Sequence, residues 1–197
     1  FYEDLNVMHD KTMSARAYYI PASVRMNDLV EYRERSDRFQ LLNGEWKFRY
    51  YSSIYDVTES FYEKGYDVSG FDQVTVPGVW QMDGYDTHQY TNIRYPFPFD
   101  PPYVPQDIPC GAYVHNFEYH REKKASKAFL NFEGVDSCFY VWVNGAYAGY
   151  SQVPHATSEF DVTDLLNEGE NTLAVLVLKW CDGSYLEAVS YTHLRAH

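Results

Sequence analysis

The sequence predicts an all-β sandwich or jelly roll. Three observations carry that expectation: short runs with apolar residues at every second position, turn dipeptides between the runs, and little helical periodicity. The chain has 197 residues. That length suits one domain whose core is large enough to need no disulfide or metal staple.

The elements follow in order. Residues 1–40 are polar and irregular, with the charge-dense run Glu31-Tyr32-Arg33-Glu34-Arg35; they read as an extended arm containing one helical turn. Leu41-Leu42-Asn43-Gly44 leads into Trp46, Phe48 and Tyr50, which alternate as in a half-buried strand. Glu59 to Lys64 reads as a short helix. Val74 and Val76 alternate again and stop at Pro77-Gly78, a turn signal.

Residues 80–111 hold Pro96, Pro98, Pro101, Pro102, Pro105 and Pro109. Proline cannot donate to a sheet ladder, so this stretch is a long loop and not a central strand. Tyr90, Tyr95, Phe97, Phe99 and Tyr103 argue that the loop is ordered, since disordered chain is poor in aromatics. An apolar, Pro-rich loop of this kind suits packing on another domain.

Beyond Gly111 the pattern is strand after strand. Tyr113, Phe117 and Tyr119 alternate, then Ala128, Leu130 and Phe132, then Phe139, Val141 and Val143. Asn144-Gly145 readily takes the positive φ angles of a tight hairpin turn, which makes 146–152 the return strand. Phe160 and Val162 mark another strand. Residues 167–171 read as a turn, and Thr172 to Trp180 as a near-continuous buried strand.

Composition narrows the function classes. A net charge of -12 argues against nucleic acid and anionic membranes as partners. The longest apolar stretch, Leu173 to Leu178, has strand length and is too short to span a bilayer. Cys110, Cys138 and Cys181 fit neither a disulfide framework nor a zinc site, and free thiols point to a reducing compartment. With no apolar leader ahead of Phe1, a cytoplasmic home is the expectation, with an upstream piece missing. The aromatic fraction of 18% reads first as strand core and rim, and second as a sugar-stacking surface.

Motifs for phosphate binding and for a serine nucleophile elbow are absent. His115 and His120 stand five apart, wrong for a metal-binding pair on one strand or helix face. Sugar hydrolysis needs two carboxylates about 5–9 Å apart. Asp182 with Glu187, or Asp136 with Glu159, can be paired on paper, but solvated loop acids are the expectation for all four. No catalytic residue is assigned.

Longer strings carry a resemblance. Leu42-Asn43-Gly44-Glu45-Trp46-Lys47-Phe48 resembles the opening strand of glycoside hydrolase family two. Val76-Pro77-Gly78-Val79-Trp80-Gln81-Met82-Asp83-Gly84-Tyr85-Asp86 resembles its next block. Tyr90-Thr91-Asn92-Ile93-Arg94-Tyr95-Pro96, followed by Pro101-Pro102-Tyr103-Val104-Pro105, resembles the β-galactosidase branch. Phe132-Glu133-Gly134-Val135-Asp136-Ser137, Val141-Trp142-Val143-Asn144-Gly145, Ser158-Glu159-Phe160-Asp161-Val162-Thr163 and Gly169-Glu170-Asn171 resemble the family's sugar-binding domain. Leu178-Lys179-Trp180-Cys181-Asp182-Gly183-Ser184-Tyr185-Leu186-Glu187 closes the match. The blocks run in register from Leu41 to Glu187.

The resemblance implies a galactose-binding-like jelly-roll β-sandwich over 41–187, behind the arm of 1–40. It implies the N-terminal, non-catalytic domain of a retaining enzyme that hydrolyses β-galactosides such as lactose. The catalytic glutamates and a Mg²⁺ site would lie on a later (β/α)8 barrel, so the fragment alone would be inactive. Two positions carry over: Asn92, as a hydrogen-bond partner of the galactosyl ring, and Asp182, as a contact to sugar hydroxyls and a ligand of Na⁺. From local sequence alone both read as turn-capping residues. Partners implied are the galactoside, the remaining domains of the parent chain and further copies of it, a tetramer in relatives. A free-standing carbohydrate-binding module is the alternative, and a ligand-free structural sandwich a third reading. Residues 188–197 are unlike the family and read as a foreign tail, with the closing strand of the sandwich missing and an aggregation-prone edge left open.

Overall fold

The computed structural model describes residues 1–28, 31–87, 97–122 and 124–187. The described residues form nine strands: β1 (His9–Asp10), β2 (Gly44–Tyr51), β3 (Asp72–Val76), β4 (Cys110–Tyr119), β5 (Phe129–Phe132), β6 (Cys138–Val143), β7 (Ala146–Gln152), β8 (Ser158–Asp161) and β9 (Gly169–Leu178). One short helix, α1 (Ser184–Glu187), follows. Seven strands form one sheet in the order β1-β7-β6-β9-β4-β2-β3, and β5 pairs with β8 in a second. All pairings are antiparallel. The all-β sandwich expected from the sequence is therefore the observed fold class.

The continuous apolar run of β9 has a simple cause. The strand lies between β4 and β6, and both faces of the large sheet are covered. Leu173, Val175 and Val177 point to one core, with Phe139, Val141, Val143, Phe48 and Trp80. The second sheet covers this face through Phe160, Leu130 and Phe132. Ala174, Leu176 and Leu178 point to the other core, where the described residues form no second sheet. Here Phe61, Phe71, Phe97 and Ile108 descend from loops, Tyr185 from α1, and Tyr2 and Val7 from the arm. Full burial of a ring such as Phe48 or Phe61 is worth about 1.5–3 kcal/mol, so these loops are structural parts of the sandwich.

The hairpin between β6 and β7 turns on Asn144 and Gly145, both at positive φ (53° and 83°), as the dipeptide predicts. Register then slips between Val141 and Trp142. A Cβ at Gly149 would lie 2.5 Å from the Asp10 carbonyl and 2.6 Å from the Phe160 ring. Only glycine lets β1 and the small sheet approach β7 this closely.

Three details differ from expectation. Residues 59–65 form successive turns and no helix: Glu63 N–H donates to the Ser60 carbonyl (2.9 Å) and Tyr66 N–H to that of Glu63 (3.2 Å). Burial of Phe61 in the loop-covered core and the positive φ of Gly65 break the segment into turns. The nearest helical geometry is a 3₁₀ turn at Ile54–Asp56, capped by the Ser53 hydroxyl. The arm is not wholly irregular, since β1 extends the large sheet and Thr12 bridges to Phe160; its helical turn is the 3₁₀ segment Arg33–Arg35. Finally, β9 begins at Gly169, inside the stretch read as a turn. The 188–197 tail lies outside the described residues.

Candidate functional site

Asp182 follows β9, where the chain leaves the sheet. It is 3% exposed, and Glu159 is 8% exposed. The expectation of solvated acids is corrected for these two. Glu159 is spanned by the Arg16 guanidinium: Nε donates to Oε2 at 2.9 Å and Nη2 to Oε1. A carboxylate held in this way is neutralised and is not a free catalytic acid. Asp136 is exposed and accepts from the Ser137 hydroxyl.

Around Asp182 the arm, β7 and the 181–185 turn meet. Asp182 N–H donates to the Tyr2 carbonyl at 2.8 Å. Its Oδ1 accepts from Gly183 N–H at 2.9 Å, the local capping that the turn sequence suggests. Burial pushes the Asp182 carboxyl above its usual range, and Asp4 of the arm adds to the rise; Gly183 N–H and the Gln152 side chain oppose it. Gln152, the last residue of β7, donates from Nε2 toward the Val7 carbonyl at 3.5 Å. Asp182 thus lies buried where the arm meets the 181–185 turn.

The segment that carries Asn92 lies outside the described residues, but its flanks do not. On one side Asp86 pairs with Lys179, each side chain 12% exposed. On the other, Phe97 packs on Trp180 and Tyr185 with ring centroids 5.1 and 5.2 Å apart. Tyr185 further donates to the carbonyls of Tyr103 and Pro98 and accepts from Asp100 N–H. Both flanks are thus tied to the turn that bears Asp182. Sequence reading missed Asp4, Gln152, Asp86, Lys179 and Tyr185. The signal for Asp86, Lys179 and Tyr185 was their place inside the quoted strings; Asp4 and Gln152 carried none.

The thiols of Cys110, Cys138 and Cys181 are free and buried. Among the described residues no three His, Cys, Asp or Glu side chains cluster as metal ligands. The chemistry at Asp182 still fits the hard cation implied by resemblance, because the buried Asp182 carboxylate and the Gln152 amide carbonyl beside it supply oxygen atoms of the kind such a cation takes.

A family model described as glycosyl hydrolases family 2, sugar binding domain, matches residues 39–194. The chain belongs to that family. It is 48% identical over 187 residues to a β-galactosidase of Actinobacillus pleuropneumoniae, covering 95% of this chain and 18% of that protein. A β-galactosidase of Staphylococcus xylosus is 45% identical over 188 residues, with the same coverage of each. The chain thus spans less than a fifth of the length of these relatives and is a fragment of a larger family member. Among solved structures, the β-glucuronidase of Ruminococcus gnavus shares the fold at a TM-score of 0.51 and 17% identity, over 71% of this chain and 21% of that one. A Bifidobacterium dentium β-glucuronidase complexed with coumarin-3-O-glucuronide does so at 0.50 and 22%, over 70% and 19%. No helix among the described residues is long and apolar enough to cross a membrane.

Proposed function

We infer that this chain is the N-terminal, non-catalytic domain of a retaining β-galactosidase that removes terminal β-D-galactose from β-galactosides. The observation that carries the reading is the alignment of 95% of the chain, at 48% identity, with a β-galactosidase more than five times as long. In the parent, the covalent chemistry belongs to two glutamates on a separate barrel, and this domain supplies one edge of the galactose pocket. Asn92 is the residue of that edge: its amide offers a donor and an acceptor to ring hydroxyls. The described residues on either side of its segment, Asp86 and Phe97, are anchored on 179–185. The arm would serve assembly of copies of the parent.

Asp182, with Asp4 and Gln152, would hold a hard cation such as Na⁺. A cation there would offset the charge of the buried Asp182 carboxylate.

The test uses the full-length parent. Asn92→Ala should lower kcat/KM at least about tenfold, the loss of roughly 1.4 kcal/mol of transition-state binding, with thermal unfolding unchanged. Unaltered kinetics would remove Asn92 from the pocket. Replacing sodium by choline should lower the unfolding temperature of the wild-type chain but not of Asp182→Asn. An equal response in both would remove Asp182 from the cation site.

A further inference from the structure

On the face of the large sheet where the described residues form no second sheet, the 54–62 segment stands off β6 and β9 and leaves an open cleft. Its volume is about 340 Å³, at the small end of the range for ligand sites. Tyr62, Tyr140, Trp142 and Phe61 line it. Tyr62 stacks on Trp142 with centroids 4.6 Å apart and planes 12° apart, and Tyr140 continues the array 6.1 Å from Trp142 at 27°. Phe61 meets Tyr62 and Trp142 edge-on, at 5.7 and 6.0 Å. Phe61 is buried and holds the array from below, while the other three rings are half-buried.

The polar side of the cleft is Glu59, flanked by Thr58 and Ser60. The Glu59 carboxylate is fixed before any ligand arrives: Arg49 Nη1 donates to Oε1 at 2.7 Å and the Tyr51 hydroxyl to Oε2 at 3.1 Å. Each carboxylate oxygen keeps further acceptor capacity for an incoming hydroxyl.

We propose that this cleft binds a single neutral pyranose residue. The half-buried rings of Tyr62, Tyr140 and Trp142 give the cleft an apolar wall for the C–H groups of a sugar ring, and Glu59 with the neighbouring hydroxyls gives it polar groups for the ring's hydroxyls. Among the described residues no cationic side chain lines the cleft to pair with a uronate or a phosphosugar, and the Arg49 guanidinium beside it is already paired with Glu59. A purely apolar ligand would leave the fixed polar wall without partners. The cleft volume admits one ring and no long oligosaccharide. None of these residues belongs to the pocket edge assigned above, and the inference stands on the lining chemistry alone.

Saturation-transfer NMR on the 197-residue chain tests it, with methyl β-D-galactopyranoside and methyl β-D-glucopyranoside as probes and methyl β-D-glucuronide as the anionic control. The neutral probes should receive saturation from aromatic protons, with dissociation constants of about 1–10 mM, and the glucuronide should not. Tyr62→Leu and Glu59→Gln should each weaken binding at least about fivefold, with the circular dichroism spectrum retained. Absence of transfer to either neutral probe overturns the proposal without reference to any variant. Binding of unchanged strength in both folded variants overturns it as well, since the sugar would then sit elsewhere. Equal binding of the glucuronide overturns the assignment of a neutral sugar.

Discussion

Replacing Asn171 by alanine tests how two distant sequence strings hold the sandwich together. Asn171 is 1% exposed. Its side chain makes four hydrogen bonds: Oδ1 accepts from Asn144 Nδ2 (2.7 Å) and Asn167 N–H (2.8 Å), and Nδ2 donates to the carbonyls of Asn167 (2.9 Å) and Gly169 (2.8 Å). Asn144 completes the network by donating to the Leu165 carbonyl and accepting from Thr172 N–H. The hairpin tip between β6 and β7 is thereby pinned to the start of β9. Each bond contributes about 1 kcal/mol net. After truncation the backbone groups of the exposed Asn167 reach water, whereas part of the half-buried Asn144 amide loses its partner. The expected loss is about 2–3 kcal/mol. With a urea slope of about 2 kcal/mol/M, the unfolding midpoint should fall by about 1–1.5 M. A shift below about 0.3 M would refute the reasoning and mean that water replaces the network at no cost.

Other perturbations read the arm and the small sheet. Arg16→Met leaves Glu159 without its guanidinium; because Arg16 is itself about a third exposed, the cost should be about 1–2 kcal/mol. Proteolysis within residues 11–40 should accelerate in that variant, and unchanged cleavage would mean that the arm is held elsewhere. At the rim of the small sheet, Lys127 and Thr163 hold the Asp161 carboxyl down to about 2. A lowered carboxyl pKa adds stability above its unfolded value and loses it as pH falls toward the folded one, so this contribution should fade between about pH 4 and pH 2. Asp161 is exposed, and screening limits the effect to about 1 kcal/mol. Asp161→Asn should flatten the acid limb of the stability curve by that amount; a superimposable limb would assign acid unfolding to other groups.

Much of the fold was legible because backbone periodicity and core geometry coincide. The run Leu173 to Leu178 announces a strand covered on both faces, and the two cores divide its residues alternately. Asn144-Gly145 announces its own turn, since few other pairs accept two positive φ angles in succession. The strings that resemble the family have a physical origin too. Asn144 and Asn171 stand in separate strings and meet in one hydrogen bond, and Asp86 and Lys179 do likewise. Partners that are distant in sequence leave no local pattern, which is why β1 escaped notice. It is held to β7 by two residue pairs, by His9 to the Ser151 hydroxyl (2.8 Å) and by the Tyr147 hydroxyl to Asp10 (2.9 Å). Residues 59–65 misled for the opposite reason: local composition favours a helix, but Phe61 is drawn into the core and Gly65 ends the turn. At the candidate site, Asp182 could be picked out by resemblance. Its burial beneath the arm, with its N–H on the Tyr2 carbonyl, is a tertiary fact that no local string encodes.

The central claim is that this chain is a non-catalytic part of a β-galactosidase. The most direct measurement is hydrolysis of a chromogenic β-galactoside by the purified 197-residue chain, assayed beside its full-length parent at equal molar concentration. The account predicts turnover by the parent and none above buffer by the chain. Turnover that co-elutes with the chain on gel filtration, and that survives removal of any longer species, would contradict it.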